Sequence, residues 1–465
     1  MRNHDQRARI KAQLIQRAVG KMLLVCLLSS CGSSITSKPS NNYCVGLTVS
    51  GLTGYGLVLK ITNASPGSVA ISSNGVYPVV ASLPTGSSYQ VTVTTQPTNP
   101  SQTCSITNAS GVIASSNISN ILVNCSTSSI TSPSSATGPF AYVETTAGIA
   151  AYAISSSAAL TPISGSPFAS GTGGAYGALD SAAPYLYFAN MSSGTISGFT
   201  YNSNGTLTSL GSPYSSGAGA YSLAITPTGK YLYAANYNAA SVSAFAIGSG
   251  GLLTSVTGSP YATGSSNSLP SAIAMDPQGR FIYVANDNDG TVSVFSIASN
   301  GSLTPVTGSP FTIGGYYGTV SLTVDSSGGH VYVVNYYTNS LISYVVNTNG
   351  SLTPLGTSVS TGNGPRALAI NPADNLLYVV NETDATISTY TINSNGISTT
   401  TAAPVPTGKS PFDIKFDSSG QHVYVANSGD GTLSVYSVSA NGALTPMANS
   451  PYTSGSGSTS VIIAP

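Results

Sequence analysis

The stretch ALAINPADNLLYVVN, Ala367–Asn381, predicts two β-strands joined by a tight turn. Apolar and β-branched residues lie on both sides of a Pro-Ala-Asp-Asn cluster, which is typical of a turn. Relatives of this hairpin recur six more times, the first and last only in part. The fold of residues 139–465 follows from this repeat.

The repeat is marked by one polar residue at the end of each second strand. The copies are 45–50 residues apart, and the marking residues are Thr145, Asn190, Asn236, Asn286, Asn335, Asn381 and Asn427. This period is typical of blade-sized β units. Each full copy has four short apolar runs separated by Gly, Asn, Ser and Pro, without helical periodicity. The sequence therefore predicts an all-β fold, a seven-bladed β-propeller.

The two ends of this region indicate how the ring closes. The first copy, which opens at Pro139, lacks a first strand, and the last copy is followed by an extra strand, STSVIIAP at 458–465. We expect this C-terminal strand to complete the first blade, because pairing of the two ends removes an open sheet edge.

The N-terminus is typical of an exported protein. Residues 1–30 carry six Lys or Arg, then the apolar run MLLVCLL and small residues, which predicts a signal peptide. Leu28-Ser29-Ser30-Cys31 resembles a bacterial lipobox, so we expect lipidation at Cys31 and an outer-membrane or cell-surface lipoprotein. The apolar run is much shorter than the roughly 20 residues of a spanning helix.

Three segments separate this leader from the propeller. Residues 31–43 are predicted to be a polar tether, and 126–138 to be a Ser/Thr-rich flexible linker. Between them, 44–125 has short alternating strands and frequent turn signals, which predict an Ig-like β-sandwich. We expect a disulfide between Cys104 and Cys125, with Cys44 as an alternative partner and one thiol left over.

The charge of the mature chain argues against nucleic acid as a partner. Without residues 1–30 it keeps seven basic and 12 acidic residues, about −5 net, and its only arginines are Arg280 and Arg366. No basic patch is available to neutralise phosphates.

The sequence lacks the common signatures of hydrolases and metal sites. No G-x-S-x-G, phosphate-binding Gly-Lys-Ser/Thr loop or H-E-x-x-H occurs. His330 and His422 hold equivalent places before second strands, which favours a structural role in the repeat. Asp287-Asn288-Asp289-Gly290 resembles half of a calcium loop, but further ligands are missing and a hairpin turn is the alternative that we favour. We expect no metal and no cofactor.

Arg366 and Glu382 are the best candidates for chemistry. They flank the hairpin at equal distances from its turn, so they should face each other on one rim, near the central channel. A cation and a carboxylate there could bind an anionic group and act as acid or base. The alternative is a cross-strand ion pair, worth under about 1 kcal/mol if exposed.

Residues 364–392 resemble the lactonase family of seven-bladed propellers, which includes the 6-phosphogluconolactonases. The repeat is also similar to surface propellers named after a Tyr-Val-Thr-Asn (YVTN) repeat. Gly364-Pro365-Arg366 and Val380-Asn381-Glu382 match the family's site pattern. Ala367 stands where that pattern has a histidine, and the place of a second family histidine, near Val320, is not histidine either.

The resemblance implies a hydrolase of sugar lactones, in which Arg366 binds an anionic group and Glu382 assists water. The alternative is a non-catalytic propeller that binds a glycan or a surface partner through a rim rich in tyrosine: Tyr316, Tyr317, Tyr336 and Tyr337. The sequence leaves enzyme and binder open. We expect a monomer that meets the membrane only through its lipid anchor.

Overall fold

The computed structural model describes residues 42–52, 56–65, 67–97, 102–127, 138–313, 317–393, 396–399 and 403–465. The chain divides into two units, with the boundary between Thr131 and Ser132. The predicted signal peptide, Cys31, residues 128–137 of the predicted linker and Tyr316 lie outside the described residues. No helix in the described part is long and apolar enough to cross a membrane.

The first unit consists of two four-stranded sheets that share one apolar core. One sheet has the order β4-β1-β8-β6 and the other the order β3-β2-β5-β7. The strands are β1 (Asn42–Ser50), β2 (Leu57–Ile61), β3 (Ser68–Ile71), β4 (Gly75–Pro84), β5 (Ser88–Thr95), β6 (Gln102–Thr107), β7 (Ser110–Val112) and β8 (Ile118–Thr127).

Strand pairing in this unit fixes its cysteines. Cys104 and Cys125 lie opposite each other where β6 pairs with β8, and the structure joins them in a disulfide. Cys44, which the sequence analysis kept as an alternative partner, is not a free thiol in the structure either.

The structure shortens the predicted tether, 31–43, and the predicted linker, 126–138, by two residues each, at the end next to this unit. Strand β1 already begins at Asn42, because Asn42 and Tyr43 pair with the end of β4. Strand β8 continues to Thr127, which pairs with Gln102. Backbone pairing therefore extends beyond the apolar pattern from which the limits 31–43 and 126–138 were read.

The second unit is the predicted seven-bladed propeller, and this prediction is confirmed. Blade 1 contains β9 (Phe140–Thr145), β10 (Gly148–Ile154) and β11 (Leu160–Pro162). Blade 2 contains β12 (Gly174–Leu179), β13 (Tyr185–Asn190), β14 (Thr195–Tyr201), β15 (Leu207–Ser209) and β16 (Tyr214–Ser215). Blade 3 contains β17 (Ala220–Ile225), β18 (Tyr231–Asn236), β19 (Ser241–Ile247), β20 (Leu253–Ser255) and β21 (Tyr261–Ala262). Two short 3-10 turns in blade 3 span Tyr237–Ala239 and Ser249–Gly251.

The remaining blades follow in chain order. Blade 4 contains β22 (Pro270–Met275), β23 (Phe281–Asn286), β24 (Thr291–Ile297), β25 (Leu303–Pro305) and β26 (Phe311–Thr312). Blade 5 contains β27 (Thr319–Val324), β28 (His330–Asn335), β29 (Ser340–Val346) and β30 (Leu352–Ser360). Blade 6 contains β31 (Pro365–Ile370), β32 (Leu376–Asn381), β33 (Thr386–Asn393), β34 (Gly396–Thr399) and β35 (Val405–Pro406). Blade 7 contains β36 (Pro411–Phe416), β37 (His422–Asn427), β38 (Thr432–Val438), β39 (Leu444–Pro446) and β40 (Tyr452–Thr453). The last strand is β41 (Ser460–Ala464).

The C-terminal strand closes the ring as predicted. Strand β41 pairs antiparallel with β9, with Ser460 opposite Glu144, and so becomes the innermost strand of blade 1. The innermost strands of neighbouring blades contact one another all the way round the ring. They enclose a central channel of about 400 Å³.

Two repeated side chains explain why the hairpin pattern makes blades. The tyrosine in the middle of each second strand is fully buried, and four of these hydroxyls donate to a glycine carbonyl of the next blade: Tyr142, Tyr187, Tyr233 and Tyr378. The terminal asparagine is buried as well. In five blades its Nδ2 donates to two hydroxyls of the third strand, as Asn381 does to Thr386 and Ser388. Both contacts satisfy polar groups that burial would otherwise penalise.

Candidate functional site

A β-bulge near the start of the inner strand carries Arg366 to the mouth of the channel. Pro365 pairs with Asn381 and Ala367 with Val380, so Arg366 has no partner of its own across the hairpin. The inner strands of blades 3, 4, 5 and 7 shift register at the same place, which frees Tyr221, Ser271, Val320 and Phe412. Bulges commonly re-aim side chains at functional sites.

Arg366 is held by aromatic groups from two other blades. Its Cζ lies 4.1 Å from the centre of the Phe412 ring. Its Nη2 donates to Tyr221 Oη at 2.6 Å. Tyr176 packs against both Tyr221 and Phe412, with ring centres 5.5 and 5.6 Å apart. The guanidinium is therefore fixed by cation–π stacking and a hydrogen bond.

The structure brings Arg366 and Glu382 together at this rim. Arg366 Nε and Glu382 Oε2 are 3.9 Å apart. The Arg366 side chain is 20% exposed and the Glu382 side chain is 28% exposed. The backbone N–H of Glu382 donates to the carbonyl of Gly364, which fixes the carboxylate beside the inner strand. At 3.9 Å the pair is electrostatic, and the buried Nε has no hydrogen-bond acceptor among the described residues.

Arg366 lines a cavity of about 320 Å³ at the channel mouth. Four of its lining residues come from the bulges, and the rest come from neighbouring strand ends and loops. The lining residues are Gly174, Ala175, Met191, Tyr221, Tyr237, Ser271, Asp287, Arg366, Phe412 and Thr459. Glu382 is not among them, so the carboxylate on the cavity wall is that of Asp287.

Asp287 is a site residue that the sequence reasoning missed. Tyr237 Oη donates to its Oδ2 at 3.2 Å. Burial raises the pKa of the Asp287 carboxyl, although the Tyr237 hydrogen bond and the Arg366 charge pull the pKa down. The signal was present in the repeat, since Asp287 follows Asn286 just as Glu382 follows Asn381.

The half calcium loop is a hairpin turn. Asp287 points to Tyr237, whereas Asp289 accepts hydrogen bonds from the backbone N–H and hydroxyl of Ser265. The two carboxylates therefore serve different contacts. Within the described ranges, no group of three or more His, Cys, Asp or Glu side chains could hold a metal ion.

The two histidines lie away from the site, at turns between first and second strands. His330 Nδ1 is 2.6 Å from Asp325 Oδ2, and His422 Nδ1 is 2.7 Å from Asp417 Oδ2. Each aspartate also accepts backbone N–H groups of its own turn. These pairs clamp equivalent turns in blades 5 and 7.

Two rim tyrosines are the large exposed side chains of blade 5. Tyr317 and Tyr337 are 55% and 63% exposed, and their rings meet edge to face at 5.0 Å. Tyr336 packs on Tyr337 at 5.2 Å.

The fold and this rim define a seven-bladed propeller with a cavity at the channel mouth that presents Arg366 and Asp287. The sequence profile of the family described as "Lactonase, 7-bladed beta-propeller" matches residues 139–406 and 384–460. The chain therefore belongs to the lactonase family of seven-bladed β-propellers.

Solved structures with the same fold include proteins from three bacteria. A candidate 6-phosphogluconolactonase from Bacteroides fragilis is 21% identical, with a TM-score of 0.62 over 71% of this chain and 99% of its own. A periplasmic gluconolactonase from Pseudomonas aeruginosa is 16% identical, with a TM-score of 0.62 over 70% and 99%. A protein from Lactobacillus plantarum is 18% identical, with a TM-score of 0.62 over 70% and 99%. At these identities the likeness concerns the fold. None of the curated proteins matches the chain.

Proposed function

We propose that the propeller hydrolyses sugar lactones in the cavity at the channel mouth. One observation carries the proposal: a bulge places Arg366, held by Phe412 and Tyr221, on a cavity wall that also presents the Asp287 carboxylate. Lactone hydrolysis needs a donor for the carbonyl oxygen and a base for water, and these groups can supply both. The family and the gluconolactonase among the similar structures support the same reaction class.

Arg366 is the proposed electrophilic group. Its guanidinium donates a hydrogen bond to the lactone carbonyl, which gains negative charge when water attacks the carbonyl carbon. Phe412 and Tyr221 keep the planar group from turning away, so little reorganisation is needed.

A carboxylate is the proposed base. It takes a proton from water as the water oxygen bonds to the carbonyl carbon. When the tetrahedral intermediate collapses, the bond from this carbon to the ring oxygen breaks, and the proton passes to that oxygen to give the hydroxy acid. Asp287 is better placed than Glu382 because it lines the cavity, and burial, which raises its pKa, makes it a stronger base than an ordinary aspartate. Glu382, 3.9 Å from Nε, orients the guanidinium and is the second candidate for assisting water.

The test is hydrolysis of a panel of sugar lactones by the purified full-length protein, after subtraction of the rate in buffer. We expect Arg366→Ala to lower kcat/KM by about 10²–10³-fold. Asp287→Asn should lower it by about 10²–10⁴-fold. Glu382→Gln should have the smaller effect, about tenfold, if its role is to orient Arg366.

Two variants on the same rim serve as controls. Lys409→Ala removes a cation whose side chain is 82% exposed, and Asp384→Asn removes a carboxylate that caps the loop at Asn363. Neither should change the rate by more than about twofold. Turnover no faster than buffer for every lactone, from protein with an intact melting transition, would exclude the enzyme proposal.

For the N-terminal region we propose an exported lipoprotein anchored through Cys31. The basic and apolar leader supports export, and so does the Cys104–Cys125 disulfide, because disulfides persist in oxidising compartments. Labelling with a fatty acid in cells should mark the wild type and not Cys31→Ala. Label on both proteins would show that the anchor is elsewhere.

A non-catalytic glycan-binding role is the second candidate, and the exposed pair Tyr317 and Tyr337 favours it. Amphipathic aromatic rings held edge to face offer a platform for a sugar ring. A glycan screen with wild type and Tyr337→Ala would test it. Binding that the substitution leaves unchanged would exclude this platform.

A further inference from the structure

We infer that the cavity takes uncharged sugar lactones and rejects phosphorylated ones. The inference rests on the proposed function and concerns its substrate class. Its basis is the set of charges around Arg366, which the sequence pair Arg366–Glu382 alone did not reveal.

The positive charge at the mouth is already outnumbered. Arg366 faces Glu382 at 3.9 Å and shares the cavity wall with Asp287. Both carboxylates interact electrostatically with the guanidinium. Asp413 and Lys415, which line the channel below, form an ion pair at 2.8 Å, and this pair adds no net charge. The mouth therefore carries about one net negative charge when its carboxylates are ionised.

No other Lys or Arg of the described propeller lines this cavity. Lys230 and Arg280 lie at turns between first and second strands, away from the bulges, and Arg280 is bonded to Asp276. Lys409 is on the rim, but it is largely exposed and lies near Asp430.

No helix N-terminus in the described part of the chain offers a substitute for these cations. The described residues contain no α-helix, so no helix N-terminus is available to bind a phosphate. A phosphate monoester brings a charge of about −1.5 to −2 at neutral pH. Next to Asp287 and Glu382 this charge would be repelled.

An uncharged sugar ring suits the same walls. Ser271 and Thr459 donate their hydroxyls to backbone carbonyls, so their oxygens remain free to accept from sugar hydroxyls. Tyr221 and Phe412 add aromatic surface. The volume of about 320 Å³ is at the lower end of ligand sites, which run from about 300 to 1,000 Å³.

The experiment compares neutral and phosphorylated ligands on the full-length protein. Hydrolysis of glucono-1,5-lactone and of its 6-phosphate gives the ratio of kcat/KM. Calorimetry with the matching non-hydrolysable lactams, with and without the 6-phosphate, gives the ratio of Kd independently of turnover. We expect the neutral ligand to be favoured by at least about 100-fold in both, and less so in 0.5 M NaCl because salt screens the repulsion.

Charge-neutral variants locate the selectivity. Glu382→Gln and Asp287→Asn should each reduce the Kd ratio by about tenfold, whereas Asp384→Asn should leave it unchanged. Selective lactam binding without hydrolysis would refute the proposed enzyme and leave the charge selection standing. Equal or tighter binding of the phosphorylated lactam, or no binding of either lactam, would overturn the inference.

Discussion

Replacing Glu144 by glutamine should stabilise the propeller at neutral pH. Glu144 lies in β9 and is fully buried against blade 2, where Ser170 donates to its Oε1 at 2.7 Å. Its Oε2 is buried without a hydrogen-bond partner among the described residues. Burial therefore raises the pKa of this carboxyl to about 7, although the Ser170 hydrogen bond lowers it.

The size of the effect follows from the pKa difference. The folded pKa of about 7 lies above the ordinary value of 4.5, so the folded state prefers the protonated acid. Glu144 then costs stability as the pH rises above about 4.5, and the cost levels off above about pH 7. One pKa unit corresponds to about 1.36 kcal/mol, so the cost of Glu144 to stability is under about 1 kcal/mol at pH 5 and about 3 kcal/mol at pH 8.

Glutamine resembles the protonated acid and cannot ionise, so it should recover this cost. For a propeller of roughly 330 residues, 3 kcal/mol corresponds to about 4 °C in Tm. Calorimetry of wild type and Glu144→Gln should show a gain of about 4 °C at pH 8 and of about 1 °C or less at pH 5. Lys409→Ala, which truncates a side chain that is 82% exposed, is the control and should shift Tm by less than 1 °C at either pH, roughly the scale of a surface change. A Glu144→Gln gain that is equal at both pH values, or a loss at pH 8, would refute the reasoning.

Three further predictions concern stability. Tyr187→Phe removes a hydroxyl that donates to the next blade at 2.7 Å and should cost about 1–2 kcal/mol by chemical denaturation; no change would mean that the contact is not formed. A Cβ on Gly174 would clash with Glu144 Oε1, so Gly174→Ala should cost about 1–3 kcal/mol in wild type and much less in a Glu144→Ala background. Equal costs in the two backgrounds would contradict the clash. Replacing Cys104 and Cys125 together by alanine opens the disulfide that joins residues 21 apart in sequence; it should lower the stability of the first unit by about 3 kcal/mol and leave the propeller transition unchanged.

The fold could be read from the sequence because its signals are local and repeated. Each blade contains its own hairpins, so short-range alternation, turn residues and the buried tyrosine and asparagine recur at one period. The pairing of Ser460 with Glu144 spans nearly the whole propeller, yet it was predictable because one blade lacked a strand and one strand was left over. The proximity of Arg366 and Glu382 was also local, since both flank a single hairpin. The predicted register was not, because the bulge leaves Arg366 unpaired and Glu382 bonds to Gly364 instead.

The composition of the site was not readable in this way. Phe412, Tyr221 and Asp287 come from blades 7, 3 and 4. The repeat gives each of them a defined position in its own blade, but it does not show that their side chains meet Arg366 of blade 6. The bulges that aim Tyr221, Arg366 and Phe412 at the channel appear only as register shifts once the strands are paired. Asp287 was therefore judged by its neighbours in the chain, as part of a turn, and not by its neighbours in space.

The sequence by itself determined the repeat, the number of blades, the closing strand and the Arg366–Glu382 hairpin, because each depends on contacts within a blade or on counting strands. The tertiary structure alone decided which carboxylate lines the cavity and which aromatic groups hold Arg366. It also decided that Glu144 is buried beside Gly174. The physical reason is that closing the ring brings the starts of seven distant strands around one axis, where charge, burial and hydrogen bonding depend on neighbours from other blades.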